Sequence, residues 1–593
     1  MYLVISFAMA QSPQLEAVPG EYIIKLKSQR SVHTLQSKVV GGLSLKGQVS
    51  STGVYQVKLS NPQDFQSLSQ DPDVEYIEPN YILSKPVQPE GAQSEPEALS
   101  ESAMSASFSQ NYAPVQVVQS WDQYSAFNIN NRPVVAVIDT GVNLTHAALV
   151  QSDAIWKNPS ELNGISGIDD DQNGYVDDIN GWNFSANSNS PQDDEGHGSH
   201  VAGIVIGAGF DIFASSRPQS KIQVMALKFL DANGSGRTSD AIRAIYYAVD
   251  NGAQVINCSW GGGSYSRSLL DALAYAYSRE VLVVTAAGNN SSNNDVSPMY
   301  PASYDVPANL AVAASTDSDN LASFSNYGAN LVQVAAPGLY IYSTYFGNTY
   351  TLMSGTSMAA PFVAGIAALA WRESPQLTGY QIKELIISSV NVRSSLSGKV
   401  STNGRVNANS LVSFAKGSTA VLASQPEYKV TSDRGLASIE EAAGGAGGCG
   451  LVRALNGSSG SGPMIPLGAF LVLLVPVAVW YTMKSRLPQS RRKFERFQVK
   501  SDVRINMGGR EVVGQVQTLS MGGLSFSADD LIEKGSLVTM KISNPTGEGE
   551  IEVQGRIVWS EEKKSYGVQF QDASQSVSQK ILSWTKNLAK GSA

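Results

Sequence analysis

Cysteine is almost absent. Only Cys258 and Cys449 occur among 593 residues, too few for a disulfide framework, so the core must come from ordinary burial, which a chain this long supplies. Charge is sparse too. Asp, Glu, Lys and Arg make up 16% of the chain, low for a cytosolic enzyme and ordinary for an exported one. The formal charge of −9 lacks any basic excess and gives no reason to expect nucleic acid as a partner of the whole molecule. Histidine is rarer still. There are four, and two of them fall in one pentapeptide, Gly196-His-Gly-Ser-His200.

What is present divides the chain. The apolar start, residues 1–10, ends in Ala8-Met9-Ala10 and reads as the end of a signal peptide, possessing no positive n-region, with a buried strand as the alternative. Residues 20–84 alternate apolar and polar in Glu21–Lys27 and Gly53–Leu59, as half-buried strands do, and form a small α+β unit. Residues 85–111 are rich in Ser, Pro, Glu, Gln and Ala and read as a linker open to proteolysis. From 112 to 416, short apolar runs (Val134–Ile138, Val224–Leu227, Val255–Ile256, Val281–Val284, Leu310–Ala313) alternate with helical stretches. That pattern predicts an α/β fold, a doubly wound parallel sheet with helices on both faces.

The remainder is polar, then apolar, then basic. Residues 417–462 are Gly/Ser-rich and read as a second linker, with Cys449 as an inert thiol or a lipidation or processing site. Met464–Met483 carries no charge and is about long enough to cross a bilayer as a helix; a buried soluble helix is the alternative. Lys484, Arg486, Arg491, Arg492, Lys493, Arg496 and Lys500 follow, which by the positive-inside rule puts the C-terminal side in the cytoplasm. Residues 490–590 hold alternating strands at Glu511–Gln517, Leu537–Ile542 and Ile551–Trp559, then an amphipathic helix near Val577–Ala589.

Three segments carry chemistry. Asp139-Thr-Gly141 ends the run 134–138, where an open parallel sheet collects its functional groups. The same tripeptide occurs in aspartic proteases, which need two carboxylates sharing a proton; a second copy is absent, so that reading would require a dimer. His197 opens an apolar helix and is a residue type whose side chain serves as a general base, with His200, one turn on, a residue that packs or supports the site. Gly355-Thr-Ser-Met-Ala-Ala-Pro361 precedes a small-residue helix, so Ser357 would sit where free backbone N–H groups stabilise an oxyanion; a plain helix cap is the alternative.

Together, Asp139, His197 and Ser357 follow the Asp-His-Ser chain order of one convergent triad class. With Ser259-Trp-Gly-Gly262 and Ala286-Ala-Gly-Asn289, they make residues 112–416 resemble the subtilase catalytic domain, apart from Ser199 where the family usually has threonine. The resemblance implies a serine endopeptidase with that triad, Asn289 as oxyanion donor, and Ser235, Gly236, Ser259, Trp260, Gly261 and Gly262 along a peptide-binding cleft. Residues 20–84, ending in Asp73-Val-Glu-Tyr-Ile-Glu-Pro79, resemble a subtilase propeptide. It implies an inhibitor removed by self-cleavage between Leu83 and Tyr112. Cys258 is expected to be a buried core thiol.

Asp169-Asp-Asp-Gln-Asn-Gly-Tyr-Val-Asp-Asp178 is dense in oxygen ligands. Asp169, Asp171, Asn173, the Tyr175 carbonyl and Asp177 fit the spacing of a Ca²⁺ loop, although Asn180 replaces the closing glutamate. A solvated acidic loop is the alternative. The C-terminal unit resembles a PilZ β-barrel, a cyclic di-GMP receptor. Its Arg492-x-x-x-Arg496 and Thr518-Leu-Ser-Met-Gly-Gly523 match the two ligand elements, with Ser520 and Gly523 in register and Thr518 in place of Asp or Asn. The rival is that the two arginines are only juxtamembrane charge. The whole reads as an exported protease held at the inner membrane, its catalytic domain periplasmic and its sensor cytoplasmic. Peptides, its own propeptide, the membrane and cyclic di-GMP are the expected partners. A catalytically silent scaffold acting as a nucleotide receptor and a freely secreted protease are the competing readings.

Overall fold

The computed structural model describes residues 16–27, 32–88, 108–124, 132–214, 218–417 and 424–430. In a second unit, which begins at 452, it describes 497–507, 510–520, 523–528, 530, 532, 536–544, 549–561 and 565–570. The signal segment 1–10, the apolar window 464–483, Arg492, Arg496, Cys449 and the helix near 577–589 lie outside these residues. Among the described residues, no helix is long and apolar enough to cross a membrane.

The first unit begins with four antiparallel strands, β1 (Ala17–Leu26), β2 (Leu43–Ser50), β3 (Val54–Leu59) and β4 (Val74–Ser84). Ile24, Leu26, Val57, Leu68 and Ile77 form their own small core. The sheet order is β2-β3-β1-β4-β8, and its last member, β8 (Ser235–Arg237), comes from much later in the chain.

The large sheet follows the predicted doubly wound pattern. Its order is β15-β16-β12-β11-β10-β9-β5-β7-β6. These are β5 (Val134–Asp139), β6 (Gly181–Asn183), β7 (Gln223–Lys228), β9 (Val255–Cys258), β10 (Leu282–Ala286), β11 (Asn309–Ser315), β12 (Val334–Pro337), β15 (Asn391–Val392) and β16 (Gly404–Arg405). All neighbours are parallel except β15 and β16. Alternate residues of β5 feed different cores. Val135 and Val137 join one, and Val134, Ala136 and Ile138 the other. Side chains of a strand point to opposite faces, so an unbroken apolar run is what helices on both faces require. After β5 the chain builds β6 and β7 on one side, then crosses to β9 on the other. The strand order therefore reverses at β5, and Asp139 stands at its carboxyl end, the place where open α/β sheets bind ligands.

Two helices of this sheet take hydrogen-bond acceptors from β4. At the start of the helix Arg267–Ser278, Glu78 accepts from Arg267 N (2.8 Å), Ser268 N (3.1 Å) and Ser266 Oγ (2.7 Å). At the start of the helix Thr238–Asp250, Asn80 Oδ1 accepts from Ser239 N at 3.0 Å. The first-turn N–H groups of a helix lack intrahelical partners, and these side chains supply them. Burial pushes the Glu78 carboxyl above its ordinary range, while the Ser266 and Ser268 hydroxyls pull it back.

The body also extends past the boundary read from composition. Residues 424–430 lie on it, with Gln425 Nε2 donating to Tyr277 O (2.8 Å), Tyr277 Oη donating to Pro426 O (2.5 Å) and Tyr428 stacked edge-on against Tyr277. Aromatic contact holds a segment whose polar composition had suggested a linker.

The helix His197–Gly207 is buried throughout. His200 pins it to the hairpin of β13 (Ile341–Thr344) and β14 (Tyr350–Met353). Its Nε2 donates to Ile341 O and Thr351 O at 3.1 and 3.0 Å. It is a packing residue, as expected.

The second unit is a closed six-stranded antiparallel barrel, order β17-β18-β19-β22-β21-β20. The strands are β17 (Phe497–Met507), β18 (Arg510–Ser520), β19 (Gly523–Ala528), β20 (Leu537–Ser543), β21 (Glu550–Glu561) and β22 (Ser565–Phe570). Val503, Ile505, Phe526, Met540 and Val568 are among the side chains that fill it, the inward half of each alternating strand.

Burial pushes the pKa of His200 down to about 3 from 6.5. A depressed folded-state pKa gives stability that is complete above the unfolded value. It should be lost as pH falls from about 6.5 towards 3, at about 1.4 kcal/mol per pH unit. Urea unfolding of the Ser357→Ala chain between neutral and acid pH should show this slope, and His200→Gln, which keeps a donor but cannot be charged, should flatten it.

Candidate active site

Asp139 and His197 meet beyond β5. His197 Nδ1 lies 2.8 Å from Asp139 Oδ1, and both side chains are fully buried. Thr140 N donates to the same oxygen at 2.7 Å. A carboxylate only accepts, so Nδ1 carries a proton, and in the neutral ring Nε2 keeps its lone pair. Nε2 has no hydrogen-bond partner. The imidazole is thus oriented and its basic nitrogen is open.

The turn before His197 is organised by Asp193, which sequence reasoning did not single out. Asp193 Oδ1 accepts from Thr140 Oγ1 (2.9 Å), Glu195 N (3.0 Å) and Gly196 N (2.9 Å). Its Oδ2 accepts from Ser199 N (2.9 Å) and Ser199 Oγ (2.5 Å). Ser199 keeps a hydroxyl where the family usually has threonine, and that hydroxyl is what the position uses. Gly196 has φ +103°, and a Cβ there would overlap the Tyr345 ring, so only glycine fits.

Ser357 is the second residue of the helix Thr356–Glu373, inside it rather than before it. Pro361 lies four residues on and has no N–H to give the Ser357 carbonyl. Ser259 Oγ donates to that carbonyl instead, at 2.9 Å. In return, Ser357 Oγ donates to Ser259 O at 3.1 Å. The hydroxyl therefore points along the cleft strand and is not hydrogen-bonded to His197.

Asn289 is held by its own amide chemistry. Its Oδ1 accepts from Thr356 N and Thr356 Oγ1, both at 2.9 Å. With the oxygen so engaged, the NH₂ group must face the other way, into the cleft. Nδ2 there donates to Val87 O at 3.2 Å.

The cleft is lined by backbone and filled by the chain's own segment 82–88. Ile82, Leu83 and Ser84 pair antiparallel with Arg237, Gly236 and Ser235 of β8. On the other side, Gly261 N donates to Ser84 O (3.0 Å) and Ser84 N to Gly261 O (3.3 Å). Lys85 N donates to Gly234 O at 3.0 Å. Residues 85–88, read from composition as linker, instead continue from β4 along the cleft without strand geometry. Of the expected cleft residues, Ser235, Gly236 and Gly261 pair with the segment, while Gly262 pairs with Tyr300. The Trp260 ring is fully buried against Phe229 at 4.8 Å. Cys258 is fully buried, and burial beside Asp139 pushes its thiol well above the ordinary range, which leaves it inert.

In the acidic loop, Glu161, Asp171 and Asp178 each bring one carboxylate oxygen within 4.8 Å of the others. Only Asp171 belongs to the set expected from spacing. Asp169 accepts from Asn173 N and Gly174 N, Asp177 from Gly167 N, and Asn173 Oδ1 from Tyr175 N, so these side chains shape the loop's turns. The convergent group is one of hard oxygens, which suits Ca²⁺. Glu161 precedes the loop in sequence and carries no spacing signal.

In the barrel, Ser520 ends β18 opposite Gly523 at the start of β19. Thr518 and Ser525 share a cross-strand hydroxyl bond of 2.7 Å.

Residues 130–427 match the profile of the subtilase family, and residues 490–587 that of the PilZ domain. A thermophilic serine proteinase of Bacillus sp. (strain AK1) is 33% identical over 403 residues, 67% of this chain and 88% of that protein. Thermitase of Thermoactinomyces vulgaris is 36% identical over 309 residues, 52% of this chain and 97% of its own length. Subtilisin DY of Bacillus licheniformis is 41% identical over 213 residues, 36% and 76% of the two chains.

Ser259→Ala removes the donor that replaces the missing Pro361 N–H. It should destabilise the fold by about 1–3 kcal/mol, the usual cost of stranding a buried polar group, measured as a lower denaturation midpoint with Ser357 also changed to alanine to prevent self-digestion.

Proposed function

This chain belongs to the subtilase family and is a serine endopeptidase, and on that premise we propose that Asp139, His197 and Ser357 are its catalytic triad. The observation that carries the assignment is the buried 2.8 Å contact of Asp139 with His197 Nδ1, which leaves Nε2 unpartnered. His197 acts as general base on Ser357 Oγ and then as general acid on the leaving amine, while Asp139 holds the imidazole in the working tautomer. To attack a substrate carbonyl, the Ser357 hydroxyl turns from Ser259 O towards Nε2, which takes its proton. Asn289 Nδ2 and the N-terminal end of the Ser357 helix stabilise the oxyanion. Substrates bind as an extended strand between Ser235–Gly236 and Gly261, with main-chain pairing for affinity and pockets for selection.

The N-terminal unit acts as an inhibitor cleaved from the chain by its own active site. The support is the seating of its last strand in the cleft, with the Val87 carbonyl at Asn289 Nδ2. The acidic loop binds Ca²⁺ through Glu161, Asp171 and Asp178, a structural role for an oxygen-rich group. The chain is exported and anchored in the inner membrane by residues 464–483, with the barrel on the cytoplasmic side. The supports are the uncharged window and the basic residues after it. The barrel takes cyclic di-GMP through Arg492 and Arg496, whose guanidinium groups match phosphate bidentately, together with Ser520 and Gly523. Binding there modulates the protease.

In the test of the triad, the wild-type chain cuts itself, giving a new N-terminus between 84 and 112, and hydrolyses casein. Ser357→Ala does neither. Asn289→Ala should lose about 10²–10³ in kcat. Self-cleavage by Ser357→Ala at the wild-type rate overturns the assignment.

The nucleotide site is read by calorimetry with cyclic di-GMP on the full chain. Heat of binding should be lost in Arg492→Ala and Arg496→Ala. Equal peptidase activity with and without the nucleotide removes the regulatory link.

A further inference from the structure

The side chain of Lys85 occupies a built position in the cleft. Its aliphatic stem runs over Gly234, so closely that a Cβ on Gly234 would come within 2.8–2.9 Å of Lys85 Cε, Cδ and Cγ. Gly234 has φ +71°, which suits glycine and keeps that floor bare. The ammonium group ends on Glu195, with which it forms an ion pair. Both side chains are largely enclosed, at 22% and 18% exposure.

Glu195 is not a loose surface carboxylate. Its second oxygen, Oε2, accepts from His197 N at 3.0 Å. Its own N–H donates to Asp193, and its carbonyl accepts from Tyr345 Oη at 3.2 Å. The charge is thereby fixed two residues before the imidazole. The neighbouring Asp194 is already paired, with Lys228 Nζ at 2.7 Å, so Glu195 is the carboxylate directed at the strand's side chain.

We propose that Gly234 and Glu195 form a subsite that selects lysine or arginine in the substrate strand, at the position whose N–H binds the Gly234 carbonyl. Lys85 is then the chain's own occupant of a subsite that serves substrates after the N-terminal unit has left. The inference rests on the triad and cleft reading above. Glycine supplies a channel for a long stem, and the anchored carboxylate supplies a charge whose partner needs no reorganisation. Peptides with acidic side chains at that position are disfavoured by like charge.

The experiment is a cleavage-site profile. Self-processed wild-type chain, Glu195→Gln and Glu195→Lys digest a mixture of denatured proteins, and the cut sites are mapped by mass spectrometry. Glu195→Gln keeps an oxygen for His197 N but no charge. In the wild type, Lys and Arg should be enriched about three- to tenfold at one fixed position on the amino side of the cut, the range of a partly enclosed ion pair. Enrichment should vanish in Glu195→Gln and turn to Asp and Glu in Glu195→Lys. On the wild type alone, it should fade as salt rises to about 1 M, because screening weakens such pairs. Background frequencies of Lys and Arg at every such position, or enrichment that persists in Glu195→Gln or in high salt, overturns the proposal and leaves Lys85–Glu195 as a clasp for the N-terminal unit. Cleavage that persists in Ser357→Ala would instead overturn the triad while leaving the profile readable.

Discussion

The reversal of strand order at β5 is the constraint on which the site depends. Because β7 and β9 lie on opposite sides of β5, the connections that leave their carboxyl ends part above Asp139 and open a crevice. The helices Thr356–Glu373 and His197–Gly207 pack on each other in one core against the same face of the sheet, and the second brings its imidazole to Asp139. The carboxylate of Asp139 at a strand end and the imidazole of His197 at a helix start then meet without any loop being asked to hold them. The rigidity comes from strands and helices buried on both faces, where packing is close and small displacements are resisted.

Much of this was legible in the sequence, because the signals are local. Unbroken apolar runs such as Val134–Ile138 mark strands buried on both faces, and the three chemical segments each combine a reactive residue with glycines that only a tight turn or close helix contact explains. The barrel's alternating strands were legible for the same reason. The unread parts depend on contacts between residues far apart. Nothing in Lys85-Pro-Val-Gln88 marks a bound segment; it lies in the cleft because Gly234 O accepts from Lys85 N and Asn289 Nδ2 donates to Val87 O. Glu161 joins Asp171 and Asp178 from outside the acidic loop. Asp193 organises the histidine turn from a stretch of ordinary loop composition, and Ser259 matters to Ser357 only because Pro361 has no N–H. The Ca²⁺ set inferred from spacing overlaps the convergent group at Asp171 alone, since which carboxylates converge depends on how the loop folds back on Glu161, and spacing does not report that.

The cleft also shows how one backbone arrangement serves two purposes. Ser259 follows β9 at the edge of the cleft, and its hydroxyl supplies the donor that the helix carrying Ser357 lacks. Asn289 uses its oxygen to brace that helix and its nitrogen to face the bound carbonyl. In each case an architectural bond fixes the direction of a group that chemistry needs, so the energy of folding also does the orienting.

Glu78 and Asn80 bear a different consequence. They close the first turns of two long helices, yet they sit on the segment assigned to depart. If that segment is removed as proposed, the amide groups of Arg267, Ser268 and Ser239 would turn to water, and the acceptors that cap those helices would no longer be attached to the chain. The residual body would then be easier to keep folded than to rebuild, so its working lifetime would be a matter of how slowly it opens, not of how far downhill it lies.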